Sequence, residues 1–433
     1  MAKSKRIGSA ATEARSWLLK KTFKICQNDN MLLTIDIGTS TFKSAIWDYN
    51  GNRLSFHSVP LLVKTEGDKH EADPAQWINA YEENCTKHER FKNIELIVIS
   101  GNGPSLVTVT EDVKHETARL WMDRRAVKYQ EEVSELMGGF VDSKFFLPKI
   151  LYIKNEENEI YKKTKYFVGC PEYLAYTLTG QAKSVFPCDG FNRWFWNDTV
   201  LEKLGLDTQK FPPFIKPGEL FGYTKNNIPV ISGGPDFFAA ILGSGVNKPG
   251  QACDRTGTSE GINLCTKNYV NTDKLKSSGL MCYGHPVKPY WNLSGIINSS
   301  GKAIEEECSK LNISIKDFFE LAQKDKNAKS VLEKIGFEMR DIIISMEKSG
   351  EKVEYLYVTG GLSEIDILNQ IKADITGKEV FVVSHKEAEL LGLFIIGACY
   401  RGIYNSYEEA SLKMCKVIKS YEPNQKLDYS SRV

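Results

Sequence analysis

The sequence predicts an α/β protein made of two similar domains. Its 433 residues, 42% of them hydrophobic, exceed what one ordinary hydrophobic core contains. A run of short apolar strands begins at Met31, and a similar run recurs from residue 251. The segment 244–250 is rich in Gly, Ser, Asn and Pro, which is typical of a connection between domains. We therefore place the domain junction in this segment.

The first half begins with three short strands, at residues 32–37, 42–47 and 54–59, and Asn50-Gly51 supplies the turn before the third. Asp73-Pro74 then provides an N-cap and a proline at the first helical position. The helix that follows carries its apolar residues on one face, and a buried strand is expected after it. The predicted order is strand, strand, strand, helix, strand.

The second half repeats this opening. Strands are predicted at 251–255 and 261–265, and Gly257-Thr258-Ser259 joins them as Gly38-Thr39-Ser40 joins the first pair. A repeat of three small residues is significant here because both copies lie between two predicted strands.

The rest of the second half contains mainly helices. A strand at 353–358 leads into Gly360-Gly361, after which Ser363 is predicted to cap a helix that ends at Gly377. Two more elements are expected, a strand at 380–383 and a small-residue-rich helix at 387–401.

Composition argues against several classes of protein. The 56 basic and 55 acidic side chains give a formal charge of +1, without the basic excess of a nucleic-acid-binding protein. No apolar run reaches the roughly 20 residues that cross a bilayer, so no membrane partner is expected. The ten cysteines form no CxxC pair and no metal-ligand spacing with histidine, which indicates reduced thiols in a cytoplasmic protein.

Residues 1–30 are basic and open with an Ala/Ser-rich segment. They lack the apolar core and the cleavage pattern of a secretory signal. We expect a disordered extension rather than a targeting peptide, with Met31 as the functional start.

The segment from Asp36 to Thr41 has the composition of a phosphate-binding turn. Gly38 lets backbone N–H groups approach phosphate oxygens, Thr39 and Ser40 add hydroxyl donors, and Asp36 at a strand end is suited to hydrated Mg²⁺. A hairpin in which the aspartate caps its own turn is the alternative.

Two further glycine segments extend the pattern. Gly257-Thr258-Ser259 is expected to form a matching phosphate cradle, and Gly360-Gly361 to accept the sugar and base of a nucleotide. Taken alone, each of them is better explained as an ordinary turn. Together, in this order along the chain, they predict a nucleotide cleft.

Asp236 is the candidate base for phosphoryl transfer. It follows Gly233-Gly234-Pro235 at the end of a strand and opens an apolar helix, where backbone N–H groups favour the anion. Such a carboxylate can accept a proton from a substrate hydroxyl. A plain N-cap aspartate is the alternative.

Over most of residues 31–405, the chain resembles the FGGY carbohydrate kinases. The resemblance rests on segments that occur in the family's order: the Asp36 turn, His70-Glu71-Ala72-Asp73-Pro74-Ala75-Gln76-Trp77, Leu120-Trp121-Met122-Asp123-Arg124-Arg125, Pro148-Lys149-Ile150-Leu151-Tyr152, Gly233-Gly234-Pro235-Asp236, Gly257-Thr258-Ser259 and Gly360-Gly361-Leu362-Ser363. Seven segments in the right order make the resemblance specific.

The resemblance implies two RNase H-like domains of the actin-like ATPase superfold, with a nucleotide cleft between them. It implies ATP and Mg²⁺ as cofactors, Asp236 as catalytic base, Asp36 as the metal and phosphate residue, both Gly-Thr-Ser turns as phosphate loops, and Gly360-Gly361 at adenosine. The expected organisation is a sugar-binding and catalytic domain at 31–245, a nucleotide-binding domain at 246–405, and a C-terminal helix and tail at 406–433.

The resemblance also places Trp121 and Asp123 near the sugar. A core aromatic is the alternative for Trp121, and an ion pair with Arg124 or Arg125 is the alternative for Asp123.

The chain departs from the xylulose kinases at the sugar pocket. Asn102-Gly103-Pro104 replaces a Gln-Met-His stretch, and Phe237 follows the catalytic Asp where an Asn is usual. Tyr152 replaces a Trp, and the second domain is shortened between residues 319 and 331. The expected substrate contacts are Asn102, Gly103, Trp121, Asp123, Asp236 and Phe237. A pentulose other than D-xylulose is the favoured substrate class, and a homodimer is compatible with the sequence.

Two other functions remain open. The altered pocket and the shortened domain would also permit a non-catalytic sugar or nucleotide sensor. An actin-like or chaperone ATPase would hydrolyse ATP with water and would not need Asp236 beside an open pocket.

Overall fold

The computed structural model describes residues 30–88, 90–110, 117–272 and 279–424. The predicted N-terminal extension therefore lies almost entirely outside the described residues. Within these ranges no helix has the length and apolar character needed to cross a membrane. The nine cysteines in the same ranges are free thiols.

The first sheet has six strands, and its centre is the fully buried apolar strand Met31–Ile37. An antiparallel meander extends it on one side, and the parallel strands Ile94–Gly101 and Pro229–Pro235 extend it on the other. In spatial order the strands are Leu220–Tyr223, Pro229–Pro235, Ile94–Gly101, Met31–Ile37, Thr41–Asp48 and Arg53–Pro60. The predicted meander is thus confirmed.

The second sheet has seven strands and repeats this plan around Gln251–Thr256. That strand pairs antiparallel with Glu260–Thr266 on one side and parallel with Tyr355–Gly360 on the other. In spatial order the strands are Met281–Gly284, Trp291–Ile297, Glu260–Thr266, Gln251–Thr256, Tyr355–Gly360, Glu379–Val383 and Val417–Tyr421. The two Gly-Thr-Ser turns therefore occupy equivalent places in the two sheets.

Short strands and helices complete the first half. Its small sheets are Lys64–Glu66 with Lys69–Ala72 and Ala118–Arg119, Val107–Thr110 with Thr164–Val168, and Ser184–Val185 with Phe214–Ile215. Its α-helices are Ala75–Lys87, Gln130–Met137, Phe146–Glu156, Asn158–Lys163, Cys170–Thr179, Asp198–Lys203 and Asp236–Ser244.

The helices of the second half are Gly301–Leu311, Ile315–Ala322, Lys326–Glu347, Asp366–Thr376, Ala388–Tyr400 and Tyr407–Met414. Gly377 ends the fourth of these in a left-handed conformation, as predicted. The predicted Ser363 cap is wrong, because the helix begins at Asp366 and the Ser363 hydroxyl donates to the Gly360 carbonyl at 2.8 Å. Ser363 instead stabilises the glycine turn before the helix.

Two apolar helices cross where the halves meet, and glycine permits their close approach. A Cβ atom on Gly243 would overlap the carbonyl oxygen of Ala388, and one on Gly392 would overlap that of Ala239. Helix Ala388–Tyr400 contacts strands of the first sheet, although it belongs to the second half of the chain. The two halves thus share a core.

The C-terminal segment contains more than the predicted helix and tail. After helix Tyr407–Met414, strand Val417–Tyr421 pairs antiparallel with Glu379–Val383 and forms an edge of the second sheet.

Candidate active site

The first Gly-Thr-Ser turn lies between the central strand of the first sheet and its antiparallel neighbour. The Gly38 N–H donates to the Thr41 carbonyl at 3.0 Å, and the Leu61 N–H donates to the Ser40 carbonyl at 2.9 Å. Ser40 is exposed and Gly38 and Thr39 are partly exposed. The hairpin is therefore held from both sides while its tip remains accessible.

The second turn sits on a helix N-terminus. The Gly301 N–H donates to the Gly257 carbonyl at 3.0 Å, and the Ser300 and Lys302 N–H groups donate to the Thr258 carbonyl at 3.3 and 3.2 Å. Thr258 itself is exposed. These bonds hold the carbonyl side of the turn against the helix.

A fully buried charge cluster lies behind the second turn. The Lys372 ammonium donates to Asp254 at 2.7 Å and also to Glu260, and the Ser300 hydroxyl donates to Glu260 at 2.6 Å. Burial, followed by the nearby Glu260 charge, raises the pKa of Asp254 well above its usual range. A protonated Asp254 leaves one cation and one anion in this apolar interior, which satisfies the requirement that buried charges be paired.

The predicted adenosine segment begins at a glycine that tolerates no side chain. Gly360 has a φ of +94°, and a Cβ atom there would overlap the Thr256 carbonyl oxygen. Gly361, in contrast, is exposed, and a Cβ atom on it would meet no atom within 4 Å. The surface beside Gly361 is therefore open enough for a ligand to approach the backbone.

Asp236 is the first residue of helix Asp236–Ser244, as the sequence predicted. Its Oδ1 accepts the Phe237 N–H at 2.7 Å, and its Oδ2 accepts a bond from Arg255 Nη2 at 2.9 Å. Arg255 Nε also donates to Glu389 Oε1 at 2.7 Å. One guanidinium from the second sheet thus bridges the starts of both crossing helices.

Asp36 lies close enough to Asp236, Glu389 and Arg255 for their charges to act on it. It is buried, and its Oδ1 accepts the Ser100 hydroxyl at 2.9 Å. Burial, then the charges of Glu389 and Asp236, raises the pKa of Asp36 to about 7. Burial opposes ionisation of Glu389 as well, but Arg255 and Lys43 hold its pKa below the usual value. A further cation near Asp36 would favour its ionised form.

Trp121 links the expected sugar side of the cleft to the first turn. Its indole N–H donates to the Thr39 hydroxyl at 2.9 Å, and the Lys144 ammonium lies 5.7 Å from its ring centroid. Trp121 is half-buried, so it is not the fully buried core aromatic of the alternative interpretation.

Asn102 and Asp123 are both buried and bonded within the protein. The Asn102 amide donates to the Ile37 carbonyl at 2.9 Å. Asp123 accepts bonds from the Arg125 side chain, including Nη2 at 2.7 Å, and from the His70 N–H at 2.9 Å. The structure therefore shows the ion-pair interpretation of Asp123. Contact of either residue with a sugar stays a prediction.

Gly103 and Phe237 differ in their surroundings. Gly103 is exposed, and a Cβ atom on it would meet no atom within 4 Å. The Phe237 ring stacks on Phe191 at 5.8 Å between centroids and lies 4.9 Å from Tyr283. Phe237 therefore contributes to an aromatic cluster beside Asp236 that includes residues of both halves.

Two family models match the chain in order. They are the N-terminal domain of the FGGY family of carbohydrate kinases, at residues 31–243, and the C-terminal domain of the same family, at residues 315–400. This chain belongs to the FGGY family of carbohydrate kinases. The resemblance found in the sequence is therefore confirmed. This FGGY kinase is a sugar kinase, and its family implies ATP as the phosphoryl donor.

Known relatives of this FGGY kinase have different substrates in their names. A xylulose kinase of Lactococcus lactis is 24% identical, with 87% of this chain and 89% of the relative covered, and a gluconokinase of Bacillus subtilis is 21% identical, with 88% and 89% covered. The crystal structure of a ligand-bound xylulose kinase from Lactobacillus acidophilus has a TM-score of 0.79 at 18% identity and covers 92% of this chain and 94% of its own. The likeness confirms the predicted fold class.

Sequence reasoning missed Arg255 and Glu389, two charged residues that the structure places beside Asp236. A signal for each was present in the repeat. Arg255 stands two residues before the turn glycine of the second sheet, as Asp36 does in the first, and Glu389 lies in the first turn of the second crossing helix, as Asp236 does in the first.

Proposed function

We propose that this kinase transfers the γ-phosphoryl group of ATP to a hydroxyl of a small sugar or polyol, with Asp236 as proton acceptor. The observation that supports this most strongly is the position of Asp236, a partly exposed carboxylate at a helix start, bonded to the strand that carries the second phosphate turn. The Phe237 N–H at the helix start and the Arg255 guanidinium orient this carboxylate where a substrate hydroxyl can approach it.

The reaction requires few residues beyond this base. As the substrate oxygen attacks the γ-phosphorus, the bond from that phosphorus to the β–γ bridging oxygen breaks and ADP leaves, while the hydroxyl proton passes to an Asp236 carboxylate oxygen. Backbone N–H groups and hydroxyls of the two Gly-Thr-Ser turns, at residues 38–40 and 257–259, are proposed to hold the phosphates, with adenosine at Gly360-Gly361. These turns belong to different sheets, so the nucleotide is held by both halves.

The residues present are compatible with Mg²⁺. Magnesium in phosphoryl-transfer sites commonly takes one or two carboxylates together with substrate phosphates, and a bound Mg²⁺ neutralises charge on those phosphates. Among the described residues no group of three or more His, Cys, Asp or Glu side chains forms a complete metal site by itself. Asp36 is the proposed ligand, since a cation beside it offsets both the burial and the neighbouring carboxylates that raise its pKa.

The Asp36 proposal makes a direct prediction. Asp36→Ala should raise the Mg²⁺ concentration needed for half-maximal activity while leaving sugar affinity nearly unchanged. Titration of activity with MgCl₂, with sugar binding followed separately by calorimetry, checks this. An unchanged Mg²⁺ dependence contradicts the assignment.

A pentulose is the favoured substrate class, with D-xylulose not the best substrate. Gly103, Pro104 and Phe237, which are proposed to line one wall of the sugar pocket, offer few polar groups, and such a wall discriminates weakly between hydroxyl configurations. Its apolar character favours the C–H side of a sugar or a deoxy position.

A coupled ADP-release assay on a panel of pentuloses, hexuloses, polyols and aldonates tests the whole proposal. We expect turnover only when a sugar or polyol is present. A kcat/KM for D-xylulose more than tenfold above every other substrate contradicts the pocket argument. Turnover without any acceptor identifies an ATPase instead, and binding of sugar and nucleotide without turnover identifies a sensor.

A further inference from the structure

The active-site charges form two pairs related by the internal repeat. Asp36 in the first sheet and Arg255 in the second each stand two residues before the glycine of a Gly-Thr-Ser turn. Asp236 and Glu389 each lie in the first turn of one of the crossing helices. The repeat thus puts a carboxylate beside the first phosphate turn and a guanidinium beside the second.

Arg255 interacts with the other three of these charged residues. Its Nη2 donates to Asp236 at 2.9 Å and its Nε donates to Glu389 at 2.7 Å, while the charge of Asp36 also acts on it. Its side chain is 30% exposed. A guanidinium has five N–H donors, and the bonds to described residues use two of them. Donors therefore remain for a ligand entering the cleft.

We propose that Arg255 binds the terminal phosphate of the nucleotide, an inference that rests on the proposed kinase function. The acceptor hydroxyl must lie between its base and the γ-phosphorus, so a cation bonded to Asp236 is within reach of the transferring group. Guanidinium groups bind phosphate oxygens through charge-assisted hydrogen bonds.

The charges around the cleft would oppose nucleotide binding without a cation such as Arg255. Asp36, Asp236 and Glu389 place three carboxylates around the point where a polyanionic nucleotide must bind, and they would repel its terminal phosphate. Arg255 offsets this repulsion. When its guanidinium bonds to the phosphate, it shares its charge between that group and Asp236, which leaves the base freer to accept a proton. Glu389, on its Nε side, keeps the guanidinium oriented as a positioning residue.

The test compares two nucleotides that differ in the terminal phosphate. Calorimetry on Arg255→Met should show an affinity for the non-hydrolysable analogue AMP-PNP reduced by about tenfold to a hundredfold, the value expected for loss of a charge-assisted hydrogen bond. The affinity for ADP should change less than threefold. A purely structural role of Arg255 would weaken both nucleotides alike.

Arg53→Met is the matched control. Like Arg255, the Arg53 side chain is about one third exposed (29%), and it donates at 2.8 Å to Glu387, the residue before helix Ala388–Tyr400. It should leave both affinities unchanged. Arg255→Lys should recover part of the AMP-PNP affinity. Equal losses for AMP-PNP and ADP, or no loss for either, overturn the proposal. A wild-type protein that binds AMP-PNP but phosphorylates no acceptor would refute the proposed function instead, while leaving the comparison of nucleotides intact.

Discussion

The acidic residues of the cleft differ in their partners. Asp236 and Glu389 share the Arg255 guanidinium, whereas Asp36 accepts the uncharged Ser100 hydroxyl and burial raises its pKa. Where a buried carboxylate lacks such a partner, burial favours its neutral form. The ionisation of each acid is therefore set by what lies next to it.

Asp236 should be essential for turnover but not for nucleotide binding. Asp236→Asn keeps the size of the side chain and removes the proton acceptor, so kcat should fall on the order of 10² to 10⁴. Steady-state kinetics with the best sugar, and calorimetry with AMP-PNP, measure the two properties. Near-normal kcat in this variant contradicts the assignment of the base.

Glu172 provides a prediction about pH and stability. It is buried in helix Cys170–Thr179, its Oε1 accepts the Val185 N–H at 3.1 Å, and its Oε2 has no partner among the described residues. Burial raises its pKa to about 7. In the unfolded chain the Glu172 carboxyl ionises near pH 4.5. The free energy of unfolding therefore falls as pH rises from about 4.5 through 7.

Glu172→Gln keeps a neutral group at every pH and removes this loss. Its free energy of unfolding, measured by urea denaturation, should match that of the wild type at pH 5 and exceed it at pH 8 by up to about 3 kcal/mol. Glu159→Gln, at an exposed position, is the control and should show no such trend. An equal difference at both pH values refutes the interpretation.

At the level of elements, the crossing of helices Asp236–Ser244 and Ala388–Tyr400 positions the carboxylates of Asp236 and Glu389. Gly243 and Gly392 each face a carbonyl oxygen of the other helix, so the two backbones approach closely. The helix starts that carry Asp236 and Glu389 are thereby fixed close enough to share Arg255.

Gly243→Ala should separate these helices and destabilise the protein by about 1–3 kcal/mol, the usual cost of overpacking. Gly392→Ala should have a similar effect. Because both act on one contact, the double variant should lose less stability than the sum of the two. Urea unfolding of all three measures this, and strict additivity would contradict a shared crossing.

On the scale of the whole molecule, two sheets of the same plan carry one Gly-Thr-Ser turn each. They are joined by the crossing helices and by contacts beside Asp236, where the Gly284 N–H donates to the Asp189 carbonyl at 2.7 Å and Phe237 packs on Tyr283. A ligand bound to both turns must draw the sheets together, which excludes water from the reacting groups.

Small-angle scattering should therefore detect closure. With sugar and AMP-PNP together, the radius of gyration should fall by a few per cent from the ~22 Å typical of a chain of this size. AMP-PNP alone should give a smaller change. An identical radius with and without both ligands favours a rigid cleft.

The sequence by itself determined the features that depend on neighbouring residues. The three-strand meander at the start of the first half, the helix end at Gly377, the two Gly-Thr-Ser turns and the start of an apolar helix at Asp236 were all predicted, and all occur. Each of these features depends on the backbone preferences of residues within a few positions of it, and those preferences follow from the residue types alone. The family resemblance rests on the same local segments in their order.

Only the tertiary structure decided which distant side chains meet. Arg255 is 134 residues from Glu389, and Trp121 is 82 residues from the Thr39 hydroxyl to which it bonds. The sequence left the choice between Arg124 and Arg125 as ion-pair partner of Asp123 open, and the structure shows Arg125 and the His70 N–H bonded to its carboxylate. Serine often caps helices, but the Ser363 hydroxyl donates to the Gly360 carbonyl instead. Such choices depend on how the two sheets and the crossing helices pack, and no local pattern contains that information.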